Sequence, residues 1–204
     1  CLVQRFGWRG GFVVLAPMSA MAWLLVWRRV HEPALPGPTP ARESWGTAVR
    51  RFGALFALAH TLGILLLGMV SYASFLALRG LWLGPLLMQR HDFSLLESGN
   101  TAVAMSMISL FSPALFGRLD PGPLRRRVWL VNLSLLAALL YLTLGWTPHY
   151  AHLNVALVLC VATLSGYSVL QYSDVRSAYA PDLTGRALSV FTMAMFLGVG
   201  LMQS

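Results

Sequence analysis

Hydrophobic residues fall along the chain in six long runs, and short polar segments separate one run from the next. A helix needs roughly 20 apolar residues to cross the hydrocarbon core of a bilayer. The runs have about this length, and none of them contains Asp, Glu, Lys or Arg. We therefore predict an all-α polytopic membrane protein with six transmembrane helices, over residues 10–27, 54–78, 100–116, 128–147, 155–173 and 187–204.

The overall composition agrees with this class of protein. The chain of 204 residues is 57% hydrophobic and only 11% charged, whereas soluble domains carry about 25% charged residues. All fifteen basic residues are Arg, and most lie in short segments beside apolar runs. The positive-inside rule explains this placement, so we expect the lipid bilayer as a partner and no nucleic acid. Cys1 and Cys160 have neither disulfide nor metal-site spacing, and no metal is expected.

The arginines are unequally divided between the two sides of the predicted membrane. Alternation of six helices places eleven of them on one side and four on the other. Because arginine-rich short loops stay in the cytoplasm, the richer side is predicted to be cytoplasmic. This assigns residues 28–53, 117–127 and 174–186 to cytoplasmic loops of a multi-pass protein of the cell inner membrane.

Three segments give the chain a resemblance to the major facilitator superfamily of secondary transporters. The proline-rich segment 28–53 is similar to the family's linker between its two six-helix halves. The segment 117–127, GRLDPGPLRRR, lies where the family repeats a signature loop. The segment 180–203, APDLTGRALSVFTMAMFLGVGLMQ, resembles the joint between the family's tenth and eleventh helices.

The resemblance implies a fragment that runs from about the sixth helix to the eleventh. Residues 1–29 would hold the last helix of the N-terminal half, residues 30–53 the linker, and residues 54–204 a C-terminal half-bundle. The resemblance further implies a permease and not an enzyme, which moves a small solute by alternating access together with the missing N-terminal half. No cofactor is implied, although coupling to a proton gradient is compatible with the family.

The arginine-rich segment 117–127 is a degenerate copy of the family's loop motif. Gly117, Arg125 and Arg126 occupy motif positions, whereas Asp120 arrives one position early. Asp120 is able to accept hydrogen bonds from an arginine or a helix N-terminus, and so to hold the cytoplasmic face closed. The alternative is that residues 125–127 only anchor the loop at anionic lipid headgroups.

Arg79 is the main candidate for contact with a solute. Apolar residues flank it, and an arginine inside the bilayer costs roughly 2.5–3.5 kcal/mol on insertion scales. If the second helix continues to about Pro85, Arg79 faces a central cavity and attracts an anionic group. If the helix ends near Leu78, Arg79 extends to the outer headgroups beside Trp82.

Three polar residues inside the predicted helices are further candidates for the cavity wall. Tyr167 and Gln171 are four residues apart, which places them on one helix face. Asn100 opens the third predicted helix. The alternatives are ordinary helix packing for Asn100 and a position at the membrane interface for the tyrosine.

Titratable groups are scarce within the predicted helices. His60 lies at a membrane edge, where a single histidine is usually structural. No acid falls inside any predicted helix, since Glu97, Asp174 and Asp182 occupy loops or helix edges. If transport is driven by protons, a carboxylate relay is therefore expected in the missing half.

Two other classes of function are alternatives to transport. A membrane-embedded acyl or glycosyl transferase needs charged residues that converge at one membrane face, and only arginines cluster in this sequence. A non-transporting scaffold or sensor needs no central cavity. A cavity lined by Arg79 and Gln171 would count against a scaffold.

Overall fold

The computed structural model describes residues 2–29, 44–56, 59–147 and 150–204, and every regular element in these ranges is helical. The chain divides into two compact units, Cys1–Ser44 and Trp45–Ser204. Residues 30–43 of the predicted linker lie outside the described ranges. The predicted boundary at residue 54 falls inside the first helix of the second unit.

The first unit contains one described helix, α1, at Leu2–Arg29. Its part Gly11–Arg29 is long and apolar enough to cross a membrane. Near the end of α1 the rings of Trp23 and Trp27 stack with their centroids 5.8 Å apart. Two arginines then complete the last turn, the combination of aromatic and basic residues that is typical of a membrane interface.

The second unit contains seven α-helices within the described ranges. Two π-helical turns, Leu78–Trp82 and Pro85–Gln89, follow the second of these helices, and a 3₁₀ turn, Ser165–Tyr167, joins the fifth to the sixth. The helices are α2 (Trp45–Phe56), α3 (Ala59–Ala77), α4 (Leu95–Arg118), α5 (Pro123–Trp146), α6 (Ala151–Leu164), α7 (Ser168–Ala178) and α8 (Pro181–Gln203).

Six helical stretches of the described chain are long and apolar enough to cross a membrane, which confirms the predicted polytopic helical fold. Much of their apolar surface is exposed, as expected for helices that contact lipid on one side and each other on the opposite side. The six stretches are Gly11–Arg29, His60–Trp82, Leu95–Arg118, Pro123–Trp146, Ala151–Ala178 and Leu183–Gln203.

The third spanning helix begins earlier than the predicted start at Asn100. Ser94 accepts a hydrogen bond from the backbone N–H of Glu97, and the Glu97 carboxylate accepts one from the backbone N–H of Ser94 at 2.8 Å. This reciprocal capping box satisfies backbone donors of the first turn. The helix therefore starts at Leu95. The prediction placed the start later because it counted only the apolar residues and left out the polar first turn.

The fifth spanning stretch also extends beyond its predicted limits of 155–173. It runs from Ala151 to Ala178, through α6, the 3₁₀ turn and α7. Asp174, predicted to lie at the helix edge, is inside this stretch and only 5% exposed. Arg127 Nε of α5 lies 3.7 Å from the Asp174 carboxylate, so a cation is near the buried acid without a hydrogen bond to it.

Close packing of the helices depends on small residues at two crossings. Where α3 meets α8, a side chain at Gly198 would collide with the backbone carbonyl of Met69. Where α4 meets the 3₁₀ turn, a side chain at Gly166 would collide with the backbone of Ser112. Helices in a bilayer gain contact energy by such close approach, because lipid is as apolar as their own side chains.

Polar contacts hold the two ends of the second unit. At one end, Asn154 donates through Nδ2 to the backbone oxygen of Thr147 at 2.9 Å and lies 2.7 Å from His91 Nε2. At the other end, the hydroxyls of Thr61 and Tyr179 lie 2.6 Å apart. This second end also carries the turn between α4 and α5, which four arginines of the two helices flank, and we refer to it as the arginine-rich end.

Candidate functional site

Arg79 lies within a helix that continues beyond it. The first π-helical turn, Leu78–Trp82, contains Arg79, and helical structure extends to Gln89. Pro85 begins the second π-helical turn, and its ring nitrogen has no hydrogen to donate to the preceding turn. The helix therefore continues past Leu78, and Arg79 lies three residues before the end of the candidate span His60–Trp82. Its contact with a solute, as opposed to the outer headgroups, stays a prediction.

The guanidinium of Arg79 contacts the neighbouring helix α4. Arg79 Nη2 donates to Ser106 Oγ at 3.0 Å, and Ser106 Oγ donates in turn to the backbone oxygen of Ala102 at 2.7 Å. In the described part of the chain Ser106 is the one hydrogen-bond partner of this guanidinium. Most N–H donors of Arg79 are thus available to another acceptor.

Arg79 and Tyr167 line the same cavity, which we call the Arg79 cavity. It lies between α3, α4 and the start of α7 and has a volume of about 230 Å³. Hydroxyl groups make up most of its polar lining, and no acid is among the described residues that line it. These are Ser71, Tyr72, Phe75, Leu76, Arg79, Ser109, Pro113, Ser165, Tyr167 and Ser168.

The 3₁₀ turn brings Tyr167 to this cavity. Gly166 lies against the backbone of Ser112 and donates its N–H to Ser112 Oγ at 3.2 Å. Ser112 also donates to the backbone oxygen of Thr163. These contacts fix the turn on α4, so that Tyr167, which is 6% exposed, is enclosed between α3 and α4.

Gln171 is buried beside the Arg79 cavity but does not line it. Gln171 Nε2 donates to Ser71 Oγ at 2.9 Å, and Ser71 does line the cavity. Tyr167 ends the 3₁₀ turn and Gln171 lies in α7, and Gln171 faces a second cavity. Asn100 is exposed in the early part of α4 and lines neither cavity.

At the arginine-rich end, Asp120 and Arg126 form an ion pair with two hydrogen bonds. Arg126 Nε donates to Asp120 Oδ1 at 3.0 Å, and Arg126 Nη2 donates to Asp120 Oδ2 at 2.7 Å. Asp120 Oδ1 also accepts from the backbone N–H of Gly122 at 3.0 Å. Gly122 has a φ of 82°, a left-handed conformation that favours glycine and closes the turn before α5.

The same arginine connects the turn to α7. Arg126 Nη1 donates to the backbone oxygen of Ser173 at 3.1 Å and to Ser177 Oγ at 3.0 Å, and Arg126 is only 6% exposed. The Arg126 hydrogen bond, above all, holds the pKa of the Asp120 carboxyl below its ordinary value, although partial burial opposes this shift. The ion pair is therefore fully charged at neutral pH.

The other residues of the predicted loop motif are placed differently. Arg125 is exposed, and so is Gly117 at the end of α4, where an added side chain would meet Val169 of α7 only at ordinary contact distance. Arg127 is 63% exposed, and its Nε lies 3.7 Å from Asp174 Oδ1. The structure thus brings together Asp120 and Arg126 but not Gly117 or Arg125, and a gating role for the four residues stays a prediction.

Sequence reasoning missed two polar residues that face cavities, Ser71 and Asp174. Serine is common in membrane helices, so nothing marked Ser71 as the partner of Gln171. The position of Asp174 could have been predicted, because it follows Gln171 by three residues and therefore lies on the same helix face. Among the described residues, no group of three or more His, Cys, Asp or Glu side chains is placed to hold a metal ion.

Comparison with known proteins identifies the family. Residues 1–202 match the family model described as Major Facilitator Superfamily. No curated protein and no solved structure matches the chain. The match covers nearly the whole chain and agrees with the helical membrane fold. The chain therefore belongs to the major facilitator superfamily, a family of membrane transporters.

Proposed function

We propose that this member of the major facilitator superfamily moves a small solute with an anionic group by alternating access, and that Arg79 binds that group. The observation that carries the proposal is the Arg79 cavity. It combines a guanidinium with several hydroxyls, and no acid is among its described lining residues. An anionic oxygen in this cavity would be attracted by the cation and hydrogen-bonded by the hydroxyls.

The energetics of Arg79 support a ligand-binding role. Arg79 lies three residues before the end of the candidate span His60–Trp82, and a charged side chain within a span carries a desolvation cost and usually faces a cavity or a partner. Ser106 is a neutral partner and compensates little of that cost. A carboxylate or phosphate group would accept two parallel N–H bonds from the planar guanidinium, a geometry in which arginine binds strongly.

The size of the cavity supports binding between two halves of a transporter. Pockets for whole small molecules measure about 300–1,000 Å³, and the Arg79 cavity measures about 230 Å³. We infer that the second unit contacts one side of the solute and that the N-terminal half of the protein contacts the other. Binding between halves near the midplane is the arrangement that alternating access requires.

The orientation of the protein is part of the proposal. The arginine-rich end carries Arg118 at the end of α4 and Arg125, Arg126 and Arg127 at the start of α5, and short loops flanked by arginines remain in the cytoplasm. The Arg126 contacts with Asp120 and Ser177 would then lie at the cytoplasmic face of the cell inner membrane. In this role they keep α5 and α7 together as one body while the two halves move.

Cysteine accessibility in the full-length protein tests the solute site. Arg79→Cys is introduced into a variant without other reactive cysteines and labelled from outside with a membrane-impermeant thiol reagent. We expect small organic anions that are transported to slow the labelling. The matched control is Gly80→Cys, because Gly80 is exposed, lies next to Arg79 and does not line the cavity.

The result is read from the difference between the two positions. Protection of residue 79 but not of residue 80 by an anionic solute supports the proposal and identifies the class of substrate. Protection of residue 79 only by cationic or neutral solutes contradicts the anionic assignment. Equal labelling at both positions in the presence of every solute makes Arg79 an interfacial residue and excludes it from the site.

A further inference from the structure

A second cavity lies at the arginine-rich end, between α3, α5 and α7, and we call it the His60 cavity. Its volume is about 220 Å³, and the described residues that line it differ from those that line the Arg79 cavity. Most of its wall is apolar. Its polar lining consists of His60 from α3, Arg127 from α5, and Gln171 and Asp174 from α7.

His60 contributes a buried nitrogen atom to this region. Nε2 of His60 is inaccessible to solvent and has no hydrogen-bond partner in the described part of the chain. The ring packs 5.3 Å, centroid to centroid, from Tyr179, whose hydroxyl is paired with Thr61. A buried polar atom without a partner costs about 1–3 kcal/mol, so Nε2 gains from any group that hydrogen-bonds to it, and a charge on the buried ring needs a nearby carboxylate.

Asp174 contributes an acid that is only loosely paired. Its side chain is 7% exposed, and the nearest cation, Arg127 Nε, lies 3.7 Å away. This distance is longer than an N–H···O hydrogen bond, and no described residue donates a hydrogen bond to the carboxylate. A buried carboxylate normally has closer partners, so Asp174 can accept another positive group.

The surrounding charges limit which groups can take part. His60, Arg127 and Asp174 are the charged or strongly titratable residues that line the cavity in the described part of the chain. Of these, Arg127 is the group with access to solvent, since 63% of its side chain is exposed. Other charged residues whose side chains the structure describes lie on the elements packed around the cavity but do not line it, namely Arg50 on α2, Arg125 and Arg126 on α5, Arg176 on α7 and Arg186 on α8.

We propose that His60 and Asp174 form a proton-binding site in which a bound proton competes with Arg127 for the Asp174 carboxylate. Before protonation, Arg127 and Asp174 carry opposite charges and His60 is neutral, so the net charge is zero. A proton from water that binds His60 Nε2 makes an imidazolium and raises the net charge to one positive unit. Two cations beside one carboxylate repel each other in surroundings of low dielectric constant, and Arg127 is the cation that can turn towards water.

The site is connected to the Arg79 cavity by a hydrogen bond. Gln171 lines the His60 cavity one turn before Asp174, and it donates to Ser71, which lines the Arg79 cavity. A shift of α7 on proton binding would therefore alter the wall of the solute cavity. The proton site stands without any assumption about the solute, whereas its coupling to transport rests on the proposed function.

A nitrogen NMR titration of labelled histidine tests the proposal in the full-length protein reconstituted in lipid bilayers. Spectra are recorded between about pH 5 and pH 8, where imidazole titrates, and His60→Gln assigns the His60 signal. We expect Asp174→Asn to lower the pH midpoint of this signal by about one unit or more, because a neighbouring opposite charge is lost. Arg127→Gln is expected to shift the midpoint upwards, because a competing cation is removed.

Asp92→Asn is the matched control. Asp92 is an exposed acid outside the cavity with a φ of 56°, a backbone conformation that Asn readily adopts. The control should leave the His60 midpoint unchanged, and thermal unfolding of each variant verifies folding.

Two results would overturn the proton site. One is a His60 midpoint that Asp174→Asn does not move, which describes a histidine that titrates independently. The other is a His60 signal that stays neutral across the whole pH range in the unmodified protein. No solute enters this experiment, so its failure leaves the Arg79 labelling result untouched, and a failure of the labelling experiment leaves the titration untouched.

Discussion

Arg126 binds Asp120 through two hydrogen bonds, with N–O distances of 3.0 and 2.7 Å, and its third nitrogen binds the end of α7. One side chain therefore closes the turn between α4 and α5 and connects it to a third helix. A bidentate arginine–carboxylate pair has a defined geometry as well as a favourable energy. Substitutions in this pair should affect the packing of the arginine-rich end more than substitutions of its neighbours.

The first prediction concerns the contribution of Arg126 to stability. Arg126→Gln removes hydrogen bonds to a charged group and should lower the free energy of unfolding by about 2 kcal/mol. Arg125→Gln removes an exposed arginine from the same turn and should change it by less than about 0.5 kcal/mol. Thermal unfolding of the two variants in the same detergent measures the difference. Equal melting temperatures would show that Arg126 is only a lipid anchor.

The second prediction concerns pH. Chiefly through its hydrogen bond, Arg126 lowers the pKa of Asp120 in the folded protein, so the ion pair contributes stability above the unfolded value, about 3.9. This contribution is lost as pH falls through the lower, folded pKa. The stability difference between the unmodified protein and Asp120→Asn should therefore be constant near neutral pH and disappear in acid. A difference that persists unchanged into strong acid would contradict the assignment.

The third prediction concerns the crossing of α4 with the 3₁₀ turn. Gly166→Ala places a methyl group against the backbone of Ser112, and such overpacking costs typically 1–3 kcal/mol, a range we expect roughly to apply here. Gly145→Ala is the control, because a side chain there meets no atom within 4 Å. Thermal unfolding should show a lower melting temperature for the first variant and no loss for the second. A harmless Gly166→Ala would mean that the crossing is looser than the structure shows.

The fourth prediction separates charge from geometry at Arg79. Arg79→Lys keeps the positive charge but loses the planar arrangement of donors that binds a carboxylate or phosphate through two bonds. We expect the concentration of anionic solute that half-protects a cysteine in the cavity, at Ser109→Cys, to rise about tenfold, a loss of roughly 1.4 kcal/mol. Arg79→Gln should abolish the protection. Full protection in Arg79→Gln would remove the guanidinium from solute binding.

The six membrane helices could be predicted from the sequence because long apolar runs without charged residues are typical of transmembrane helices. The prediction misplaced helix ends where polar residues continue a helix. Ser94 and Glu97 extend α4 by capping it, and a capping box is visible in sequence when it is sought. Asp174 lies inside α7, and its nearest cation, Arg127, comes from α5, so nothing local to Asp174 indicates that neighbour.

The candidate cavity was less accessible to prediction than the fold. Arg79 was identified from its cost in a bilayer, a property of one residue. The partners Ser106 and Ser71 depend on which helices pack together, and serine has no distinctive pattern in a membrane helix. Tyr167 and Gln171 were expected to line one cavity, but Tyr167 lines the Arg79 cavity and Gln171 lines the His60 cavity, a division that depends on how α3, α4 and α5 pack around them.

The π-helical turns after α3 have a consequence for insertions and deletions. The buried residues on this helix step by four from Ala73 to Ala77, by five from Leu78 to Leu83, and by four again to Leu87. A π-helical turn accommodates one residue more than an α-helical turn. The turn Leu78–Trp82 therefore keeps the buried residues before and after it on the same side of the helix. Loss of one residue within Leu78–Trp82 would therefore be absorbed as a return to α-helix. Loss of one residue before it, between Ser71 and Ala77, would turn Arg79 away from its cavity.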